Sequence, residues 1–145
     1  RLQILADGAV QRPKTVENGT VELDTPASLV TIGLSYESLL SPMPIEVELQ
    51  NGQSILRKKA IGTLRLRMYD SVGGEARVGA DNWQYIISRD VLSDDLDRAI
   101  AVKNDVVIFN VLSGNDYTPE IEIRQIEPLP ININSIVTTY DVVER

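Results

Sequence analysis

The sequence contains no cysteine and no histidine. Without cysteine there is no disulfide, no thiolate nucleophile and no thiolate metal site. Without histidine, a serine or threonine nucleophile has no imidazole base, and zinc loses its usual nitrogen ligand. These absences leave carboxylate chemistry, lysine chemistry and metals bound through oxygen as the only catalytic routes.

Aromatic residues and long apolar runs are also scarce. Aromatic residues make up 5% of the chain, with a single tryptophan, so the stacking platforms of single-strand binders are poorly supplied. No apolar run approaches the roughly 20 residues that a membrane-spanning helix needs. We therefore expect no membrane partner.

Basic residues are fewer than acidic residues in this chain. The chain has 21 acidic and 14 basic residues, which gives a formal net charge of −7. A net-acidic domain repels phosphate backbones. We therefore expect no specific nucleic-acid binding.

The length of 145 residues and the hydrophobic content of 43% are ordinary for one globular domain. We treat residues 1–145 as a single β domain. The chain starts at Arg1, without a methionine, on residues that resemble the middle of a strand. This start predicts a fragment of a longer polypeptide.

The clearest local pattern lies between residues 62 and 69. One face of this stretch is formed by Gly62, Leu64, Leu66 and Met68, and the other by Thr63, Arg65, Arg67 and Tyr69. Alternation with period two is typical of a strand with one buried face. The following residues 70–74 include Gly73 and Gly74 and predict a turn that ends this strand.

Similar short patterns recur along the chain between turn signals. Asn18-Gly19 predicts a hairpin between residues 15–17 and 20–23. Other predicted strands are residues 2–6, 9–11, 28–36, 45–49, 83–87, 106–111, 120–126 and 131–143, with a fragment at 77–79. The run 106–111 is short and apolar enough for a buried strand, and residues 90–104 are the one region where a helical turn is expected. About eight to ten short strands without a βα rhythm predict an all-β fold, an antiparallel β-sandwich or a small β-barrel.

Acidic residues suggest two sites, and in both cases an ordinary explanation is favoured. The cluster Asp90, Asp94, Asp95 and Asp97 lacks the ligand spacing of a calcium loop, so a solvated loop fits better. The pairs Glu46/Glu48 and Glu120/Glu122 stand at period-two positions, which is typical of the wet face of a sheet. We therefore predict no catalytic residue, no metal, no cofactor and no enzymatic activity.

Basic residues concentrate in one place. Arg57, Lys58 and Lys59 are followed by Arg65 and Arg67. The pattern fits a subunit interface and an ordinary charged sheet face about equally well. Arg57, Lys58 and Lys59 are the candidate interface residues.

Several blocks of sequence, in a fixed order, carry a resemblance to a known family. The blocks are Leu5–Gln11, Leu23–Ser28, Thr31–Tyr36, Arg57–Ile61, Leu64–Leu66, Tyr69–Gly74 and Gln125–Pro130. In this order they resemble the C-terminal part of the tail nozzle proteins of short-tailed phages and prophages, also called tail hub, tail tubular or stabilization proteins. The chain departs from the family between Glu75 and Asn104, where the family has a proline-rich loop.

The resemblance implies a non-enzymatic virion component of the phage tail, present in the host cytoplasm during assembly. Such proteins form homo-oligomeric rings below the portal and adaptor, contact other tail proteins, and line the route of DNA ejection. The alternative is a carbohydrate- or host-surface-binding β-domain. That alternative usually needs clustered aromatic residues, which are thinly spread in this chain.

Overall fold

The computed structural model describes residues 1–46, 48–49, 52–53, 57–87, 99–111 and 116–142. Within these ranges the chain forms β-strands and no helix. The strands are β1 (Leu2–Ala6), β2 (Ala9–Lys14), β3 (Val30–Leu34), β4 (Ser38–Leu40), β5 (Glu48–Leu49), β6 (Gly52–Gln53), β7 (Lys59–Met68), β8 (Gly73–Val78), β9 (Gln84–Ile87), β10 (Val106–Asn110), β11 (Ile121–Gln125) and β12 (Ile133–Val142).

The strands pair in antiparallel fashion into three sheets and one short hairpin. The strand orders are β2-β1-β3, β10-β7-β12 and β4-β11-β8-β9, with β5 and β6 as the hairpin. Ten strands therefore belong to the three sheets, and these sheets do not close into a barrel within the described ranges. The prediction of an all-β antiparallel fold is confirmed.

The main core lies between the sheets β10-β7-β12 and β4-β11-β8-β9. Leu64, Leu66 and Met68 of β7 are almost completely buried, whereas Arg65 and Arg67 are exposed. The core is completed by Ile61, Val72, Ala76, Val78, Ile86, Ile87, Phe109, Val111, Ile121 and Ile123. The predicted buried face of residues 64–68 is confirmed.

The alternation predicted Gly62 on the same buried face, and this part of the prediction is wrong. Ile61 and Leu64 are buried, whereas neither Gly62 nor Thr63 is, so the alternation changes phase between Ile61 and Leu64. Opposite this point the register slips, because Thr63 faces Thr139 while Ile61 faces Tyr140. This is the geometry of a β-bulge, in which one strand carries an extra residue.

Gly73 and Gly74 begin strand β8 and do not end a turn, which corrects the sequence prediction. Both have positive φ, at 72° and 80°. A Cβ on Gly74 would lie 2.7 Å from Cδ1 of Ile131. The glycines are therefore required by close packing at the start of a full strand that the sequence had reduced to a fragment at residues 77–79.

Strand β10 is not the buried strand that its apolar run predicted. It lies at an edge of its sheet and pairs with β7. Phe109 points to the core, whereas Val106 and Ile108 are exposed on the opposite face. The run thus places apolar side chains on both faces of β10, although the core covers only one of these faces.

Two predicted tight turns are present. Asp7-Gly8 joins β1 to β2, and Asn18-Gly19 links Glu17 to Thr20, with all four turn residues at positive φ. The second hairpin is reduced to the single bridge between Glu17 and Thr20. Residues 90–98 of the expected helical turn lie outside the described ranges. Residues 99–104 are not helical, and Lys103 bridges to Ser71.

The register of β7 can be tested with two adjacent substitutions. Leu64→Asp should cost about 3–5 kcal/mol of unfolding free energy, because it places a carboxylate in the packed core, whereas Arg65→Asp should cost under about 1 kcal/mol. Urea unfolding of both variants measures the difference. Similar midpoints for the two variants would contradict the assigned register.

The Asp7 carboxylate ties the first turn to the loop before β3. It accepts hydrogen bonds from the backbone N–H of Ser28 at 2.9 Å and of Leu29 at 2.7 Å. These bonds favour the charged carboxylate and lower the pKa of Asp7. A folded-state pKa below the unfolded value of about 3.9 stabilises the fold above that pH and loses its effect as the pH falls through the folded-state pKa.

Asp7→Asn should therefore destabilise the chain at neutral pH, and the deficit should shrink below about pH 4. Asparagine tolerates the positive φ of this position, so the variant does not add backbone strain. Urea unfolding of both proteins across this pH range measures the effect. A deficit that does not change with pH would show that the Asp7 charge is irrelevant.

Candidate functional site

The three candidate interface residues have different environments. Lys59 is 1% exposed, and its Nζ lies 2.8 Å from Oε1 of Glu46 and 3.3 Å from the carbonyl oxygen of Tyr117. Its backbone pairs with Asp116 on one side and Val142 on the other. The Lys59 ammonium therefore serves the fold of its own chain.

Lys58 is the exposed member of the three. Its Nζ lies 5.6 Å from the ring centroid of Tyr117, within the range of a cation–π contact. Arg57 is half-buried. The predicted subunit interface at this position stays a prediction, and Lys58 is the residue best placed to take part.

Among the acidic candidates, the structure describes the side chains of Glu46, Glu120 and Glu122, and these three do not form a shared site. Glu46 pairs with Lys59, Glu122 pairs with Arg77, and Glu120 is exposed. The aspartate cluster at residues 90–97 lies outside the described ranges. Across the residues that the structure describes, no group of three acidic side chains is arranged to hold a metal ion, and no helix is long and apolar enough to cross a membrane.

The most elaborate polar arrangement was not predicted from the sequence. On the outer face of β8 and β11, Arg77 forms an ion pair with Glu122, and Nε and Nη2 of Arg124 both donate to Oε2 of Glu75 at 2.7 Å. The guanidinium carbons of Arg77 and Arg124 lie 4.5 and 4.0 Å from the Trp83 ring centroid. Each arginine is thus neutralised by a carboxylate and packed on the indole.

This network follows from strand register. Arg77 stands opposite Glu122, and Glu75 stands opposite Arg124, on adjacent antiparallel strands. Opposite residues share one face of a sheet. The signal in the sequence is the reversed spacing of Glu75-x-Arg77 and Glu122-x-Arg124, and it becomes readable only when the pairing of the two strands is known.

A second feature is the apolar edge segment, residues 29–43. Eight of its large apolar residues are exposed, among them Leu34 at 77% and Tyr36 at 78%. The others are Leu29, Val30, Ile32, Leu39, Leu40 and Met43. Exposed apolar residues this dense along a chain are typical of an interaction site.

The apolar edge segment contains two sheet edges. Strand β3 is the edge of the sheet β2-β1-β3, and β4 is the edge of the sheet β4-β11-β8-β9. An edge strand presents unpaired backbone N–H and C=O groups that can pair with another chain. Within the described ranges, neither β3 nor β4 has a strand on its outer side.

A cleft of about 520 Å³ lies beside this segment. Thr31, Leu34 and Tyr36 line one side, and Gln125, Pro128 and Ile131 line the other. The cleft separates the sheet β2-β1-β3 from the loop after β11. The amide of Gln3 crosses this boundary and donates to the carbonyl oxygen of Ile126 at 2.9 Å.

Comparisons with models of known protein families and with curated proteins give no match for this chain. The arrangement of its own residues therefore carries the functional argument. The two features that this arrangement offers are the neutralised network around Trp83 and the exposed apolar edge segment. Of these, the second is open to a partner.

The buried lysine generates a prediction about stability. Glu46→Ala should cost about 3 kcal/mol, because it leaves a buried ammonium without its carboxylate. Lys59→Met should cost under about 1 kcal/mol, because methionine fills a similar volume and the partly exposed Glu46 carboxylate can hydrate. Urea unfolding compares them, with exposed Glu120→Ala as the control. A larger loss for Lys59→Met would contradict the ion-pair role.

Proposed function

We propose that this chain is a structural component of a phage tail, part of a nozzle or hub protein whose subunits form the ring below the portal and adaptor. In this function the chain contributes contact surface to the wall of the DNA exit channel and performs no chemistry. The observation that carries the proposal is the apolar edge segment. It offers exposed side chains and two open sheet edges, which are the two means by which β-proteins bind one another.

The blocks on which the family resemblance depends also support the proposal, because distant blocks meet in space. The Gln125 amide donates to the carbonyl oxygens of Val72 at 3.3 Å and Leu129 at 3.2 Å, and the Val72 N–H donates to Pro130. Two of the blocks, residues 69–74 and 125–130, therefore form one junction. Asp7 and Ser28 join two others.

A phage that lacks the full-length protein provides the test. The protein supplied in trans would carry Ile32→Lys and Leu34→Lys, which add charge to the edge segment without entering the main core. We expect the yield of tailed, DNA-retaining particles to fall by at least about tenfold, the effect of losing about 1.4 kcal/mol of contact free energy. Full titre from this variant would remove the segment from the assembly.

Two further variants complete the experiment. Val16→Lys changes an exposed apolar residue outside the segment and should leave the titre unchanged. Lys58→Glu tests the predicted basic interface without disturbing the buried Lys59. Full titre after deletion of the whole domain would refute the structural function itself.

A further inference from the structure

A second exposed surface lies on the sheet β10-β7-β12, on the face turned away from the core. We call it the arginine face and define it by Arg65, Arg67, Val106, Ile108 and Val137. Register places Arg65 between Ile108 and Val137, and places Arg67 beside Val106. All five side chains are exposed, the three aliphatic ones by about half.

The two arginines differ from those around Trp83. Within the described ranges, neither Arg65 nor Arg67 has an ion pair or a side-chain hydrogen bond. They stand two residues apart on one strand, which spaces them by about 6.6 Å on the same face. The arginine face thus carries unneutralised positive charge in a chain whose net charge is −7.

We propose that copies of this chain associate head to tail, with the arginine face of one copy on the apolar edge segment of the next. The two surfaces complement each other. Residues 29–43 contain one charged residue, Glu37, and no lysine or arginine. The Glu37 side chain is half exposed and lies 3.6 Å from Arg124. Aliphatic side chains thus meet aliphatic side chains, and the free arginines meet the carboxylate.

Charge disfavours a symmetric contact through the arginine face. An isologous contact through the arginine face would oppose arginine to arginine, which is unfavourable. A head-to-tail contact uses two different surfaces, and repeated contacts of this kind close into rings or extend into filaments. The inference rests on the proposed function in taking the edge segment to be a subunit contact, and it deepens that function by naming the partner surface.

A nucleic acid is a poorer occupant of the arginine face than a protein. Val106, Ile108 and Val137 would gain little against a phosphate backbone, and the net charge of the chain opposes binding. Three strands and three rows of side chains cover on the order of 300 Å². Stable interfaces bury about 800 Å² on each partner. We therefore expect weak association of the isolated chain, which calls for a covalent trap.

The chain has no cysteine, so engineered cysteines can trap the contact. Leu34→Cys marks the edge segment and Ile108→Cys marks the arginine face. The two purified single variants would be mixed at low salt under mild oxidation, and disulfide-linked peptides would be identified by mass spectrometry. Random collision gives the mixed dimer about twice the abundance of each homodimer. We expect a clear excess of the mixed dimer over this ratio.

Exposed Glu17→Cys, mixed with each variant, is the collision control. A predominance of Leu34→Cys homodimers would overturn the proposal in favour of an isologous contact. A mixed dimer at only about twice the abundance of each homodimer would show that no specific contact forms and would overturn the proposal. A prior unfolding experiment on each variant confirms that all three are folded, and the three substitutions lie at exposed positions.

Charge reversal tests whether the arginines of one copy pair with Glu37 of the next. Arg65→Glu in the Ile108→Cys protein should reduce the excess of mixed dimer, and Glu37→Lys in the Leu34→Cys partner should restore part of it. The matched control is Arg12→Glu, an exposed arginine on another sheet, which should have no effect. If Arg65→Glu leaves the dimer ratio unchanged, or if Glu37→Lys gives no recovery, the assigned pairing is wrong.

The cross-linking experiment tests the head-to-tail contact, and the phage experiment tests the proposed function, so one can fail without the other. Random cross-linking together with a lost titre for the edge-segment variant would refute the head-to-tail contact and leave the proposed function standing. Specific cross-linking together with full titre would establish the contact and refute its use in tail assembly.

Discussion

The buried face of β7 is the constraint on which the other elements depend. Ile61, Leu64, Leu66 and Met68 contact the core between two sheets, and β7 itself is hydrogen-bonded on both sides. Burial of these four side chains contributes roughly 6–12 kcal/mol. That is comparable to the entire net stability of a domain, about 5–15 kcal/mol. The long pairing with β12 and the shorter pairing with β10 position this face against β8 and β11.

The sheet β2-β1-β3 lies outside the main core and is linked to the rest of the chain by polar contacts. Ile4 and Ala6 of β1 are buried, yet they are not part of the main apolar cluster. The link to the rest of the chain includes the Gln3 amide, which donates to the loop after β11. The buried side chain of Gln125, the last residue of β11, donates to the carbonyl oxygens of Val72 and Leu129 and so fixes that loop. This attachment leaves β3 at an edge and places the edge segment beside the cleft.

Sequence reasoning succeeded where a local pattern was sufficient and failed where the answer depended on a distant neighbour. The alternation at residues 64–68 specified its own buried face, and Asp7-Gly8 and Asn18-Gly19 specified their own turns. The bulge at Gly62 depends on how many residues β12 places opposite it, and the start of β8 depends on Ile131 above Gly74. The exposure of Val106 and Ile108 depends on which face of the sheet the core covers.

The candidate site was harder to predict for the same reason. Three consecutive basic residues gave no indication that Lys59 would find Glu46 and be buried. Residues 28–36 predicted a strand, but not that β3 would lie at a sheet edge with the residues of both its faces exposed. The free arginines of β7 were identified as charged, and only the register revealed their aliphatic neighbours.

The charges around Trp83 have a consequence for how the chain avoids misfolding. In the observed register each glutamate of β8 and β11 faces an arginine. A slip of one residue would turn the apolar face of β11 to solvent. A slip of two residues would keep that face inside, but it would oppose Glu75 to Glu122 in one direction and Arg77 to Arg124 in the other. Like charges directly opposite are destabilising, so the four side chains penalise the misaligned pairings that the hydrophobic pattern alone would accept.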